Sequence, residues 1–267
     1  MKKQTADQTL LKFSSGKFNA KLQQINGKLY SFSLPSGYSC PFAKMCDSRA
    51  VLNKETGKYT IKDGKHTEFR CFSASQEVVF PSVRRQREHN FNLLRKLKKA
   101  NEMVELIQNS LPKDATHIRV HVSGDFYNKE YMKSWLLIAE QNPNVIFYAY
   151  TKSLGYWVAL KNEIPVNFKL NASKGGSQDF LIDEYNLKFV EVVYSEQEAK
   201  EKNLAIDHTD ELAFKQDTSF ALLIHGVQPK FSQASNAQKE LKKADVGQYS
   251  RKKIKEKMLK EQLKKAA

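Results

Sequence analysis

The chain has 267 residues, 40% hydrophobic and 11% aromatic, enough for a sizeable core in one large domain or two small ones. No stretch nears the roughly 20 apolar residues of a membrane span, and the N-terminal "MKKQTADQTLLKFSSGKF" lacks the apolar region of a secretory signal. A formal charge of +15 favours anionic partners, and three cysteines, an odd and low number, exclude a disulfide scaffold and fit a reducing, cytoplasmic setting.

Taken in chain order, "KLYSFSL" (28–34) alternates as a strand does and stops at Pro35-Ser36-Gly37. The loop "YSCPFAKMC" (38–46) follows, with Cys40 and Cys46. "VLNKETGKYTIKDGKH" (51–66) reads as an exposed hairpin with turns at Thr56-Gly57 and Asp63-Gly64. Cys71 comes next, in "FRCFSASQE". From Pro81 the period becomes helical: Phe91, Leu94 and Leu97 share a face, and Met103, Leu106 and Ile107 continue it in a second helix.

Beyond that, strand and helix alternate. "HIRVHVS", "VIFYAYT", "VNFKLNA", "FVEVVYS" and "SFALLIHG" are short apolar strands. Asn128 caps a helix carrying Tyr131, Trp135, Ile138 and Ala139 on one face. A short helix runs near 154–161, and Ser195 to Glu198 forms a capping box. Such alternation implies parallel pairing. The expected class is α/β, a partial (β/α) barrel of about six parallel strands, with a doubly wound sheet as the alternative. Residues 1–229 are expected to form this domain. Residues 230–267, with twelve Lys/Arg against four Asp/Glu, are expected to be a basic C-terminal arm, helical or disordered.

Ligands of parallel α/β folds sit at the carboxyl ends of the strands. The residues that follow each apolar run are therefore the site candidates. They are Cys40 and Cys46, then Ser123-Gly124-Asp125, Thr151 and Lys152, Asn171, Ser173 and Lys174, Tyr194-Ser195, and His225-Gly226. Thiolates suit zinc or iron–sulfur iron. Three cysteines cannot close a four-thiolate site within one chain. They leave a [4Fe-4S] cluster with one open iron, structural zinc completed by a histidine such as His66, or three small buried side chains.

The segment 83–99 carries seven Lys/Arg against one Glu. Arg84, Arg85, Arg87, Lys98 and Lys99, with Arg251, Lys252 and Lys253 in the arm, are candidate DNA or RNA phosphate contacts; a solvated helix face is the competing account. Tyr148, Tyr150, Tyr156 and Trp157 are candidates for base stacking or for packing between strand and helix.

"LPSGYSCPFAKMC", "HTEFRCFSASQE", "RVHVSGDFYNKEYMKSWL", "FYAYTKSLGYW" and "FALLIHGVQP", in this order over roughly residues 34–229, resemble the gene product 88 family of phage and plasmid proteins. That resemblance carries no reaction, and it places the protein in the host cell cytoplasm if phage-encoded. The layout is also similar to radical S-adenosylmethionine (SAM) enzymes, whose cysteine loop follows the first strand. This second resemblance implies a [4Fe-4S] cluster on Cys40, Cys46 and Cys71. It also implies SAM contacts from Ser123, Gly124 and Asp125, with Asn171 and Ser173 toward the ribose, and a possible enzyme acting on a nucleotide or nucleic acid. The compact C-x3-C-x2-C of that superfamily is absent: 24 residues separate Cys46 from Cys71. The alternative is a metal-stabilised DNA- or RNA-binding protein without chemistry.

Overall fold

The computed structural model describes residues 9–16, 22 and 25–247. Strand β1 (Ser14–Ser15) is followed by β2 (Leu29–Phe32), which ends just before Pro35. Strands β3 (Ser48–Leu52) and β4 (Tyr59–Asp63) form a separate antiparallel hairpin, with Leu52 opposite Tyr59. Three helices come next: α1 (Phe72–Val79), α2 (Pro81–Leu94) and α3 (Ala100–Ser110). Pro81 occupies the first turn of α2, where a missing N–H costs no helical bond.

The rest alternates as the periodicity predicts: β5 (His117–Val120), α4 (Lys129–Gln141), β6 (Ile146–Thr151), α5 (Leu154–Ala159), β7 (Phe168–Ser173), α6 (Phe180–Glu184), β8 (Phe189–Val193) and α7 (Glu196–Glu201). It closes with β9 (Ala205–Ile206), α8 (Leu212–Lys215), β10 (Phe220–Leu223) and α9 (Gln233–Lys243). Asn128 caps α4 by accepting from the Tyr131 amide at 2.8 Å, and Ser195 caps α7 by accepting from the Glu198 amide at 3.0 Å.

The main sheet has eight strands in the order β1-β2-β5-β6-β7-β8-β10-β9. β1 pairs antiparallel with β2, and the other pairs are parallel. The fold is therefore mixed α/β with a largely parallel open sheet, whose edges are β1 and β9. From β2 to β8 the spatial order follows the chain, so each crossover steps the same way. A doubly wound sheet reverses direction near its middle, and this one does not.

Side chains two apart along a strand share a face. Ile118, Val120, Phe147 and Ala149 point to the helices and pack with Met103, Ile107, Trp135 and Ile138. The opposite face, with Tyr148, Val190 and Phe220, is covered by Leu22, Ile25 and by Ala213 and Phe214 of α8. Lys188 helps hold α8 there by donating to the Leu212 carbonyl at 2.7 Å.

The division expected at 229/230 does not separate core from arm. Ala234 and Leu241 of α9 pack against Val193, Ala221 and Leu223, so that helix belongs to the folded unit. Arg251, Lys252 and Lys253 lie outside the described residues. Among the described residues no helix is long and apolar enough to cross a membrane.

Candidate functional site

At the carboxyl ends of the parallel strands, the loops enclose a cavity of about 410 Å³. Cys40, Cys46 and Cys71 all line it. So do Ser123, Gly124 and Asp125 after β5, Lys152 after β6, Ser173 at the end of β7, and His225 after β10. The three cysteines are free and half-buried. Residues far apart in the chain thus meet because successive parallel strands end at one edge of the sheet.

Each thiol is set by a different loop. The turn that carries Cys40 lies against Gly124. At φ 85°, Gly124 is in the region that favours glycine, and a Cβ there would stand 2.5 Å from Ser39 Oγ and 2.7 Å from Leu34 Cβ. Cys46 follows Met45, whose amide donates to the Gly175 carbonyl at 2.9 Å in the loop after β7. Cys71 stands immediately before α1. There Gly226, at φ 83°, approaches so closely that a Cβ would lie 2.5 Å from Phe72 Cβ.

The hairpin β3–β4 brings Cys71 back to Cys46. At its base the Gly64 amide donates to the Asp47 carbonyl at 2.6 Å, and Thr67 Oγ1 donates to the same carbonyl at 2.7 Å. The Glu68 amide donates to the Met45 carbonyl at 2.9 Å. Arg70 Nε lies 3.1 Å from Asp63 Oδ1, which fixes the segment leading into Cys71.

Asp125 ties neighbouring strand ends together. Its Oδ1 accepts from the Phe126 amide at 2.7 Å and from Thr151 Oγ1 at 2.6 Å; its Oδ2 accepts from the Lys152 amide at 2.7 Å. Burial pushes its pKa up to about 6, against those three donors, which favour the carboxylate. Lys152 Nζ donates to Ser173 O and Oγ, both at 2.8 Å, and to Lys174 O at 2.7 Å.

The thiols feel one another. Burial raises the Cys40 pKa well above the ordinary thiol value, with further contributions from Asp125, Cys71 and Cys46. Burial and the neighbouring Cys46 push Cys71 up to about 11. Cys46 is also raised by burial, with Lys152 pulling the other way. A metal would replace those protons and supply the compensating charge. Among the described residues, no three His, Cys, Asp or Glu side chains are grouped as one metal ion requires.

Two expected site residues fall elsewhere. Asn171 is fully buried and does not line the cavity. Its Nδ2 donates to the Ala149 and Ala213 carbonyls, both at 3.1 Å, so it ties β6 and α8 to β7. His66 is exposed and away from the cavity; His121 and His225 are the histidines that line it, and His121 Nε2 lies 2.9 Å from the Tyr131 hydroxyl. The basic segment also divides. Arg87 is buried on Glu77 at 2.8 Å and is no surface phosphate contact. Arg84 lies 3.5 Å from the centre of the Tyr59 ring and donates to the Glu77 carbonyl at 2.7 Å. Arg85, Lys98 and Lys99 are exposed.

Sequence reading singled out Tyr150 as a stacking or packing residue but did not anticipate Arg119 in the deeper part of the cavity. Arg119 and Tyr150 line it from mid-strand, with Val190, Val192 and Leu222 as an apolar wall. Arg119 forms a buried ion pair with Asp210 and lies over the Tyr150 ring, 4.7 Å from its centre. The alternation of "HIRVHVS" puts Arg119 on the face opposite Ile118 and Val120, a signal that could have singled it out. Nothing local points to Asp210, 91 residues away.

A family model described as Gene product 88 matches residues 4–245. The chain is also similar to the Gene 88 protein of Mycobacterium phage L5, 26% identical over 200 residues, which covers 66% of this chain and 75% of that one. No solved structure matches.

Proposed function

The chain belongs to the Gene product 88 family, and from that premise we propose that it is an iron–sulfur protein of the radical-SAM-like type, acting on a small substrate such as a nucleotide. The observation that carries this reading is the meeting of Cys40, Cys46 and Cys71 in one cavity at the carboxyl ends of sequentially ordered parallel strands. On this reading the fold works as a partial (β/α) barrel, with the thiol loop after its first parallel strand.

The three thiols fit a [4Fe-4S] cluster in number and softness, and would leave its fourth iron without a protein thiolate. Such a cluster, when bound and reduced, would supply one-electron reduction of SAM and so radical chemistry on a substrate. The chain's own residues do the rest. Asp125 Oδ2, which accepts from the Lys152 amide, would be the acceptor for the SAM amino group. Gly124 lets backbone approach, and Ser173 lines the cavity beside Lys152, while the Ser123 hydroxyl is turned to Glu77. Val190, Val192 and Leu222 exclude water from the substrate side. A cavity of about 410 Å³ suits a small molecule or one extruded nucleotide rather than a duplex.

Anaerobic reconstitution with iron and sulfide tests the proposal. Three to four irons per chain are expected, and Cys40→Ala, Cys46→Ala and Cys71→Ala are each expected to lose most of them. A Cys40→Ala chain that retains wild-type iron refutes the ligand set. One zinc per chain would instead favour a metal-stabilised nucleic-acid-binding protein, for which the exposed Arg85, Lys98 and Lys99 are the observation in hand.

A further inference from the structure

Resting on the reading that the three thiols form one ligand set, we propose that Glu77 and Arg87 are a buried positioning pair that fixes the turn carrying Cys40, the loop carrying Asp125 and the helix that begins at Cys71. Glu77 is 2% exposed and Arg87 4%. Glu77 Oε1 accepts from the Ser36 amide at 3.0 Å, from Ser123 Oγ at 3.3 Å and from Arg87 Nη1 at 2.8 Å. Its Oε2 accepts from Ser36 Oγ at 3.1 Å. Arg87 completes the set by donating from Nη1 to the Ser73 carbonyl at 3.1 Å and from Nη2 to Gln76 Oε1 at 2.8 Å.

One carboxylate therefore touches three segments that are distant in the chain. Ser36 opens the turn that ends at Cys40, and Ser39 Oγ tightens it by donating to the Pro35 carbonyl at 2.7 Å. Ser123 opens the Ser-Gly-Asp loop. Glu77 itself sits on α1, whose first residue follows Cys71. Burying two charges gives little net stability over an apolar pair of equal size. A carboxylate, unlike a leucine, has lone pairs in several directions and can hold both loops at once. Arg87 pairs with it and anchors it to the first turn of the helix. Cys46 is held by different bonds, through Met45 and Gly175. The pair should therefore govern two thiols and leave the third alone.

The test is alkylation of each thiol by iodoacetamide in the metal-free full chain, resolved by peptide mass spectrometry. In Glu77→Gln, Cys40 and Cys71 are expected to react about tenfold faster, because segments held by fewer bonds open more often, while Cys46 changes less than about twofold. Glu77→Gln leaves Arg87 buried without its partner, so the double variant Glu77→Gln with Arg87→Met serves as the second arm. It removes the stranded charge and is expected to fold, yet to keep Cys40 and Cys71 selectively loosened. Unchanged rates at both thiols in both variants overturn the proposal, as does an equal rise at all three. Iron uptake is measured separately on the wild-type chain. A chain that binds no iron refutes the cluster, while the alkylation pattern still decides whether Glu77 and Arg87 position the thiols.

Discussion

The thiols of Cys40, Cys46 and Cys71 hold their protons more firmly than exposed thiols do, because burial disfavours the thiolate. With Cys71 raised to about 11, metal must displace protons throughout the neutral range. Affinity is therefore expected to climb from pH 7 to pH 9, by about tenfold per pH unit for each proton released. Competition with a chelator of known pH dependence measures it, and a flat profile would mean that the thiols are not the ligands. The metal-free chain should show the linked effect. A thiol whose folded pKa exceeds its unfolded value of about 8.5 stabilises the fold fully below that value, and the contribution is lost as pH rises toward 11.

At the scale of elements, the site depends on close approach between loops from opposite ends of the chain. Gly124→Ala would place a methyl against Ser39 Oγ and Leu34 Cβ at a positive φ that alanine disfavours. The expected cost is about 2–4 kcal/mol of unfolding free energy, with reduced iron uptake, read by urea denaturation and iron analysis. Gly57, at the tip of the β3–β4 hairpin, has a similar φ of 64° but nothing within 4 Å. Gly57→Asn is expected to cost no more than about 0.5 kcal/mol, because asparagine tolerates this conformation and the surface tip contacts nothing. The contrast separates backbone conformation from loop docking. It also shows what the hairpin does: its base aligns Cys46 with Cys71, while its tip is free to vary.

Across the whole molecule, the folded unit extends past residue 229, further than composition implies. The helix α9 reads as part of a lysine-rich tail, yet Ala234 and Leu241 cover the outer sides of β8 and β10. Truncation after Pro229 is expected to lose at least about 2 kcal/mol through exposed apolar surface. Calorimetry on this truncation checks it. Deletion of residues 248–267 removes Arg251, Lys252 and Lys253 and keeps all of α9, and so probes nucleic-acid binding by those three. A salt slope of DNA affinity that does not change would clear those three residues of phosphate contact.

The sequence by itself determined the alternation of strand and helix, the helix caps at Asn128 and Ser195, and the placing of Cys40, Ser123-Gly124-Asp125 and His225 after apolar strands. These follow from local rules: side-chain period, turn residues, and capping by short polar side chains. Only the tertiary structure decided which of those residues share a cavity. It drew Asn171 into a bond with α8 and turned Arg87 inward onto Glu77. It also revealed α1, where the buried residues are Ser73, Ala74, Ser75 and Glu77. That helix has no apolar stripe to announce it, because its inner face is built from hydrogen bonds to distant loops. Pairing across such separations leaves no periodic trace, so the partners of Glu77 and Arg119 emerge only once the sheet has brought them together.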